Sequence, residues 1–174
     1  MSKIGRKPIA IQDVDVTVNG QVVTYKGKKA EGTYVLPDYL RVTLEKNGLV
    51  LQLLDSEKNN FWGMHRALLA NTLAGAQEEF ATTVVIVGLG FKGELKKDSI
   101  EFSLGYSHKI NFKIPKNVKI EIDKTGQMLK IISNDKFLMG DVAQQICALR
   151  RPEPYKGTGI RLQSKEILRK VGKS

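Results

Sequence analysis

A single cysteine, Cys147, and two histidines, His65 and His108, are all the thiol and imidazole metal ligands this 174-residue chain contains. One thiol cannot close an intramolecular disulfide, and neither a Cys-cluster nor a multi-histidine zinc site can be assembled. Long apolar runs are missing too. The longest are four residues, as at Val84-Val85-Ile86-Val87, against the ~20 that a membrane helix needs. The opening Met1-Ser2-Lys3-Ile4-Gly5-Arg6-Lys7-Pro8 is basic, but no hydrophobic stretch or small-residue cleavage site follows it. These absences predict a cytosolic chain, kept reduced and away from membranes. Hydrophobic residues still make up 41%, too many for a disordered basic tail and enough for one domain or two small ones.

Charge is plentiful but uneven. Residues 1–81 carry 10 basic and 9 acidic side chains, a net of +1. Residues 82–174 carry 18 and 9, a net of +9. The last stretch, 149–174, sets 8 basic residues against Glu153 and Glu166. Such asymmetry points to a polyanion met mainly from one end. The plainer alternative is a solvated tail that aids solubility. A membrane surface would want apolar residues on one face of a basic helix, and the tail offers few.

The chain repeats itself. Segment 36–72 aligns with 114–150 without a gap at an offset of 78, from Pro37 to Pro115. In the first copy Leu40, Val42 and Leu44 alternate with polar residues, Asn47-Gly48 supplies a tight turn, and Leu49 to Leu54 return. In the second, Val118, Ile120 and Ile122 alternate, Thr125-Gly126 turns, and Met128 to Ile132 return. Each hairpin is followed by a helical pattern with Phe61, Met64 and Leu68 on one face, matched by Met139, Val142 and Ile146. Asn59 or Asn60, and Asn134 or Asp135, are the candidate N-caps, and Pro152 halts the second helix. Further strands are expected at Val14 to Val18, Gln21 to Tyr25, Thr82 to Val87, Ser99 to Leu104 and Lys109 to Ile114. The reading is α+β: two tandem similar domains, 1–81 and 82–174, each an antiparallel sheet covered by one helix.

Little of this supports catalysis. Gly88-Leu89-Gly90-Phe91-Lys92-Gly93 fits the dinucleotide pattern G-x-G-x-x-G, but that chemistry needs a helix N-terminus directly afterwards. The residues that follow read as a charged hairpin end and then a strand, so the glycines suit a bulge or tight turn. Ser107-His108 are adjacent and lack a nucleophile elbow. Glu78 and Glu79 face different ways on a helix. Cys147 matches Leu69 of the first copy, which suggests a small buried hydrophobe, and His65 is a partly exposed packing residue. No enzyme, cofactor or metal is expected.

The stretch after the second helix is distinctive. Arg150-Arg151 lead into Pro152-Glu153-Pro154-Tyr155-Lys156-Gly157-Thr158-Gly159-Ile160-Arg161. Two prolines are expected to hold the backbone extended, Tyr155 to offer a face to a base or ribose, and Lys156 and Arg161 to meet phosphates. Gly157 and Gly159 would let the backbone and its N–H groups approach RNA closely. Lys165, Arg169, Lys170 and Lys173 continue the positive strip. The competing reading is an ordinary closing strand with a frayed tail.

Residues 152–160 resemble the signature of the bacterial large-subunit ribosomal protein L-six family. Met1 to Ile9, Ser103-Leu104-Gly105-Tyr106-Ser107-His108 and Arg66-Ala67-Leu68-Leu69-Ala70-Asn71 are similar to its other landmarks. Two positions depart from it: Thr158, where the family usually has Lys, and Leu162, where an aromatic is common. The resemblance implies a structural constituent of the cytoplasmic ribosome, present as one copy rather than a homo-oligomer. It implies direct binding of 23S rRNA near the sarcin–ricin loop and the base of the lateral stalk. Neighbouring large-subunit proteins adjoin there, and translational GTPases dock close by. Arg150, Arg151, Tyr155, Lys156, Gly157, Thr158, Gly159, Arg161, Lys165, Arg169, Lys170 and Lys173 would form the RNA-facing set, with Arg66 and Asn71 as minor contacts of the first domain. Two other readings stay open: an RNA- or DNA-binding module outside the ribosome, and a nucleotide-binding enzyme using Gly88 to Gly93.

Overall fold

The computed structural model describes residues 2–11, 13–45 and 48–172. The chain divides into two compact units, Met1–Glu79 with Asn134–Lys136, and Phe80–Ser133 with Phe137–Ser174. The strand that opens the second unit begins at Phe80, two residues ahead of the 81/82 boundary read from the sequence.

In the first unit, strands β1 (Asp15–Asn19), β2 (Val22–Lys26) and β3 (Glu31–Val35) form an antiparallel sheet in chain order. Val16 faces Tyr25 and Val18 faces Val23 across the first hairpin. Strands β4 (Leu40–Glu45) and β5 (Gly48–Leu53) form a separate hairpin. A backbone bridge joins β5 to Ile9, with Ile9 N–H donating to Leu49 O at 2.8 Å and the reverse bond at 2.9 Å. Helix α1 (Asn59–Gln77) closes a core that includes Val23, Leu36, Leu40, Leu49, Leu51, Trp62 and Leu69. The Trp62 indole donates to Leu51 O at 3.0 Å, which satisfies its one polar atom inside that core.

The second unit follows the same plan with more strands. Strand β6 (Phe80–Val87) is central, flanked by β11 (Met128–Ser133) and by β12 (Gly159–Leu162), with β10 (Val118–Ile122) outside β11. Strands β7 (Lys92–Leu95), β8 (Ser99–Ser103) and β9 (Ile110–Lys113) form a second antiparallel sheet. Helix α2 (Lys136–Leu149) places Val142, Ala143 and Ile146 in a core with Val84, Ile86, Phe102, Leu129 and Ile160. The fold is therefore α+β and duplicated, each unit built from antiparallel sheet and one helix.

Three details differ from the sequence reading. The gapless offset of 78 holds for β4 and β10 but not beyond them. Val42 lies opposite Leu51 and Ile120 opposite Ile131, so the second strands correspond at an offset of 80 (131 minus 51). A longer connection between β10 and β11 accounts for the slip, because period-two strands tolerate a two-residue shift without reversing their faces. Asn47, half of the expected first turn, lies outside the described residues.

The buried face of α1 is the second correction. Phe61, Met64 and Leu68 are 43%, 45% and 45% exposed, whereas Trp62, Leu69, Leu73 and Ala76 turn inward. Two apolar stripes lie side by side on this helix. Small residues at its far end settle the choice: Ala76 O accepts from Lys29 N–H at 2.9 Å and sits against Gly27. In α2 the expected face is the real one, with Val142 and Ile146 fully buried and Met139 packed on the core.

The third is the cap. Asp55 accepts from Glu57 N–H at 3.0 Å and caps a short tight turn, Ser56–Lys58, that leads into α1. Asn59 and Asn60 are already helical.

Candidate nucleic-acid interface

After α2 the chain does not stay extended. Glu153 N–H donates to Thr158 O, and Gly157 N–H donates to Glu153 O, both at 2.9 Å, which folds 153–158 into a closed turn. Tyr155 and Lys156 form its exposed tip. Pro152 therefore leads into a reversal and Pro154 lies within it, and neither straightens the backbone.

The chain then enters β12, where Ile160 is fully buried and Ile160 N–H donates to Arg150 O at 2.8 Å. The ordinary closing strand, set aside in the sequence reading, is what residues 159–162 form.

This reassigns the glycines. Both Gly157 and Gly159 are buried, and Gly157 N–H is spent inside the turn. Gly159 has φ +142, and a Cβ there would lie 2.6 Å from Pro152 Cα and 2.7 Å from Arg151 O. Gly157 has φ +74 and carries the Arg169 guanidinium close above it. Their missing side chains admit the protein's own backbone and Arg169.

The cations are distributed among three settings. Arg151, Arg161 and Lys165 line one cleft of about 430 Å³, together with Gln144, Cys147 and Pro152. Arg161 is held there by an Nη1–H bond to Lys165 O at 2.8 Å, so one guanidinium is fixed while Lys165 remains exposed. Burial pushes the Cys147 thiol up, with Lys165 pulling it slightly back, which agrees with a packing role and not a nucleophile.

Lys156 stands at the turn tip, and the tail returns past it. Lys170 N–H donates to Pro154 O at 2.9 Å, which brings exposed Arg169 and Lys170 beside the same turn. Thr158 donates to the Glu153 carboxylate at 3.3 Å. Lys173 lies outside the described residues.

Arg150 occupies the third setting. Its guanidinium lies between the Phe91 and Tyr106 rings, 4.9 Å from each centroid, and donates to Leu104 O. It is half-buried and works as a brace.

The glycine pattern of 88–93 is explained by the same cluster. A Cβ on Gly88 would enter the Phe91 ring at 2.4 Å, and one on Gly105 would approach it to 2.8 Å. The stretch runs straight into β7, so no helix N-terminus stands where a pyrophosphate would need one. Among the described residues no group of three or more His, Cys, Asp or Glu gathers to hold a metal. Nor, among the described residues, is any helix long and apolar enough to cross a membrane.

Comparison with known proteins agrees with this architecture over its whole length. The profile of the family described as Ribosomal protein L6 matches residues 87–162. The Large ribosomal subunit protein uL6 of Aliarcobacter butzleri is 39% identical over 179 residues, covering 100% of this chain and 98% of that protein. The chain belongs to the ribosomal protein L6 family. Members from Natranaerobius thermophilus and Acidothermus cellulolyticus, both also named Large ribosomal subunit protein uL6, are 38% and 36% identical over 178 residues, with 100% of this chain and 99% of each covered. The profile match begins at the end of β6 and closes with β12, so it spans the closed turn and the lining of the cleft up to Leu162.

Reasoning from charge missed one group. Tyr106 and His108 are exposed, with near-parallel rings 6.3 Å apart. Gly-Tyr-Ser-His between two strands is the signal for it: a glycine turn followed by two rings with no apolar neighbours to bury them.

Proposed function

We propose that this protein is a structural constituent of the large ribosomal subunit that binds 23S rRNA directly through its second unit. The observation that carries this is the gathering of Arg151, Arg161 and Lys165 around one cleft, beside a closed turn that holds Lys156 and Tyr155 at its tip. Successive phosphates along a strand meet such an array by charge and shape, without reading sequence. Lys165, Arg169 and Lys170 extend the strip, and the buried Gly157 and Gly159 hold the turn so that Lys156 projects. Arg150 serves by bracing and Thr158 by tying down Glu153.

On this reading the protein acts as a single copy in the cytoplasmic ribosome, with rRNA and neighbouring large-subunit proteins as partners. Its site lies near the sarcin–ricin loop and the stalk base, within reach of translational GTPases. The work is positioning rather than chemistry, and the protein is not an enzyme.

The test is binding of a 23S rRNA transcript at several salt concentrations. Lys156→Ala with Arg161→Ala is expected to weaken binding and flatten its salt dependence. Each lost phosphate contact lowers the log–log slope by up to ~0.9, the duplex figure. An unchanged slope would remove these side chains from the set of phosphate ligands.

A further inference from the structure

The loop 103–108 carries a feature that phosphate binding does not need. Tyr106 is 47% exposed, yet its ring is fixed from several sides. Its hydroxyl donates to Leu149 O at 3.2 Å. The Arg150 guanidinium lies over the ring and is itself fixed by Leu104 O and by the Phe91 ring. Beside it the exposed His108 ring lies 6.3 Å away and tilted by 23°.

An aromatic residue held in water loses both apolar burial and rotamer freedom. A braced pair of near-parallel, exposed rings recovers that cost when a planar partner covers one of their open faces. A cation beneath a π-face also makes the outer side more receptive to an electron-rich ring.

We infer that Tyr106 and His108 form a stacking platform for an unpaired rRNA base, a second contact beside the cationic cleft. This rests on the RNA-binding reading above and adds a ligand class to it: a nucleobase face in place of a phosphate. Arg150 joins the two contacts. Its side chain supports the platform while its carbonyl accepts from Ile160 in β12, two residues before the Leu162 that lines the cleft. RNA proteins stack splayed bases on such rings, and stacking tolerates any base because every base has a π-face.

The experiment measures the affinity and salt slope of the 23S rRNA transcript for the full chain and three variants. Tyr106→Phe keeps the ring and should bind within twofold of the parent. Tyr106→Leu removes the π-face at similar volume and should lose roughly tenfold. His108→Ala, at an exposed ring, should lose several-fold without lowering the unfolding temperature, which keeps the test valid if the Leu variant fails to fold. In each case the log–log slope should stay at the parent value, because stacking releases no counterion.

Parent-like affinity in both Tyr106→Leu and His108→Ala would overturn the platform and leave that face to a protein neighbour, while the cationic site would stand. A slope that falls in these variants would also overturn it, by making the residues part of the phosphate set. Failure of the parent itself to bind the transcript would defeat both proposals.

Discussion

The two units share a plan and divide its uses. In the first, the edge of β5 away from β4 is bordered, among the described residues, by a single bridge to Ile9. In the second, the same place is held by the eight-residue strand β6, and β12 adds another strand beyond it. That addition delivers Arg161 and the residues around it to the cleft. Charge follows it, with net +1 over residues 1–81 and +9 over 82–174. A duplicated fold can thus gain a cation-lined cleft by adding an edge strand and decorating its ends, while both cores remain ordinary.

The largest effect that would sharpen this contrast is in packing. Ile160, fully buried in β12, belongs to the core of the second unit. Ile160→Ala should cost about 2–5 kcal/mol there. Trp62 is the one tryptophan in the chain and sits in the other core, so its fluorescence follows the first unit alone. Far-UV circular dichroism should show an early transition in the variant while the Trp62 signal keeps its midpoint. A Trp62 midpoint that moves equally would break the picture of two separate cores.

A smaller effect is expected from exposed cations of the first unit. Lys3→Ala with Lys26→Ala removes as much charge as the Lys156 and Arg161 pair, from two residues that are exposed as Lys156 is. Affinity for the 23S transcript should change by less than about twofold, with at most a slight change of slope, because unbound cations contribute only screened, long-range attraction. A loss matching that of the second-unit pair would erase the division of labour.

The smallest effect is one of pH. Lys109 and then Lys96 hydrogen-bond to the Glu101 carboxylate and hold its pKa at about 2, below the usual 4.5. A lowered folded-state pKa means that this contribution is complete above about 4.5 and drains away as pH falls toward 2. Glu101→Gln should therefore flatten the pH dependence of the unfolding temperature between those values. An acid limb as steep as the parent's would show that other carboxylates set it.

Where the sequence was readable, the signal was periodic. Val118, Ile120 and Ile122, or Val142 and Ile146, announce their faces because only one apolar stripe is present. In α1 two stripes compete, and the outcome depends on Ala76 meeting Gly27 and Lys29, residues about 50 positions away. Strands β3 and β7 escaped notice because Glu31-Gly32-Thr33-Tyr34-Val35 and Lys92-Gly93-Glu94-Leu95 are mostly polar or glycine and lack an apolar residue at every second position.

The site shows the same limit. Tyr155, Lys156, Arg161 and Lys165 could be named from residue type. The roles of Gly157, Gly159 and Arg150 could not, since each is defined by what the folded chain brings against it.

The central claim is that the cationic turn and cleft of the second unit face the RNA. Tethered hydroxyl-radical probing tests it directly, with Cys147→Ala as background and iron attached through Tyr155→Cys or, for comparison, Thr24→Cys on β2. In reconstituted large subunits, position 155 should cleave 23S rRNA strongly at a compact set of nucleotides, and position 24 weakly. Strong cleavage from 24 with silence from 155 would contradict the account.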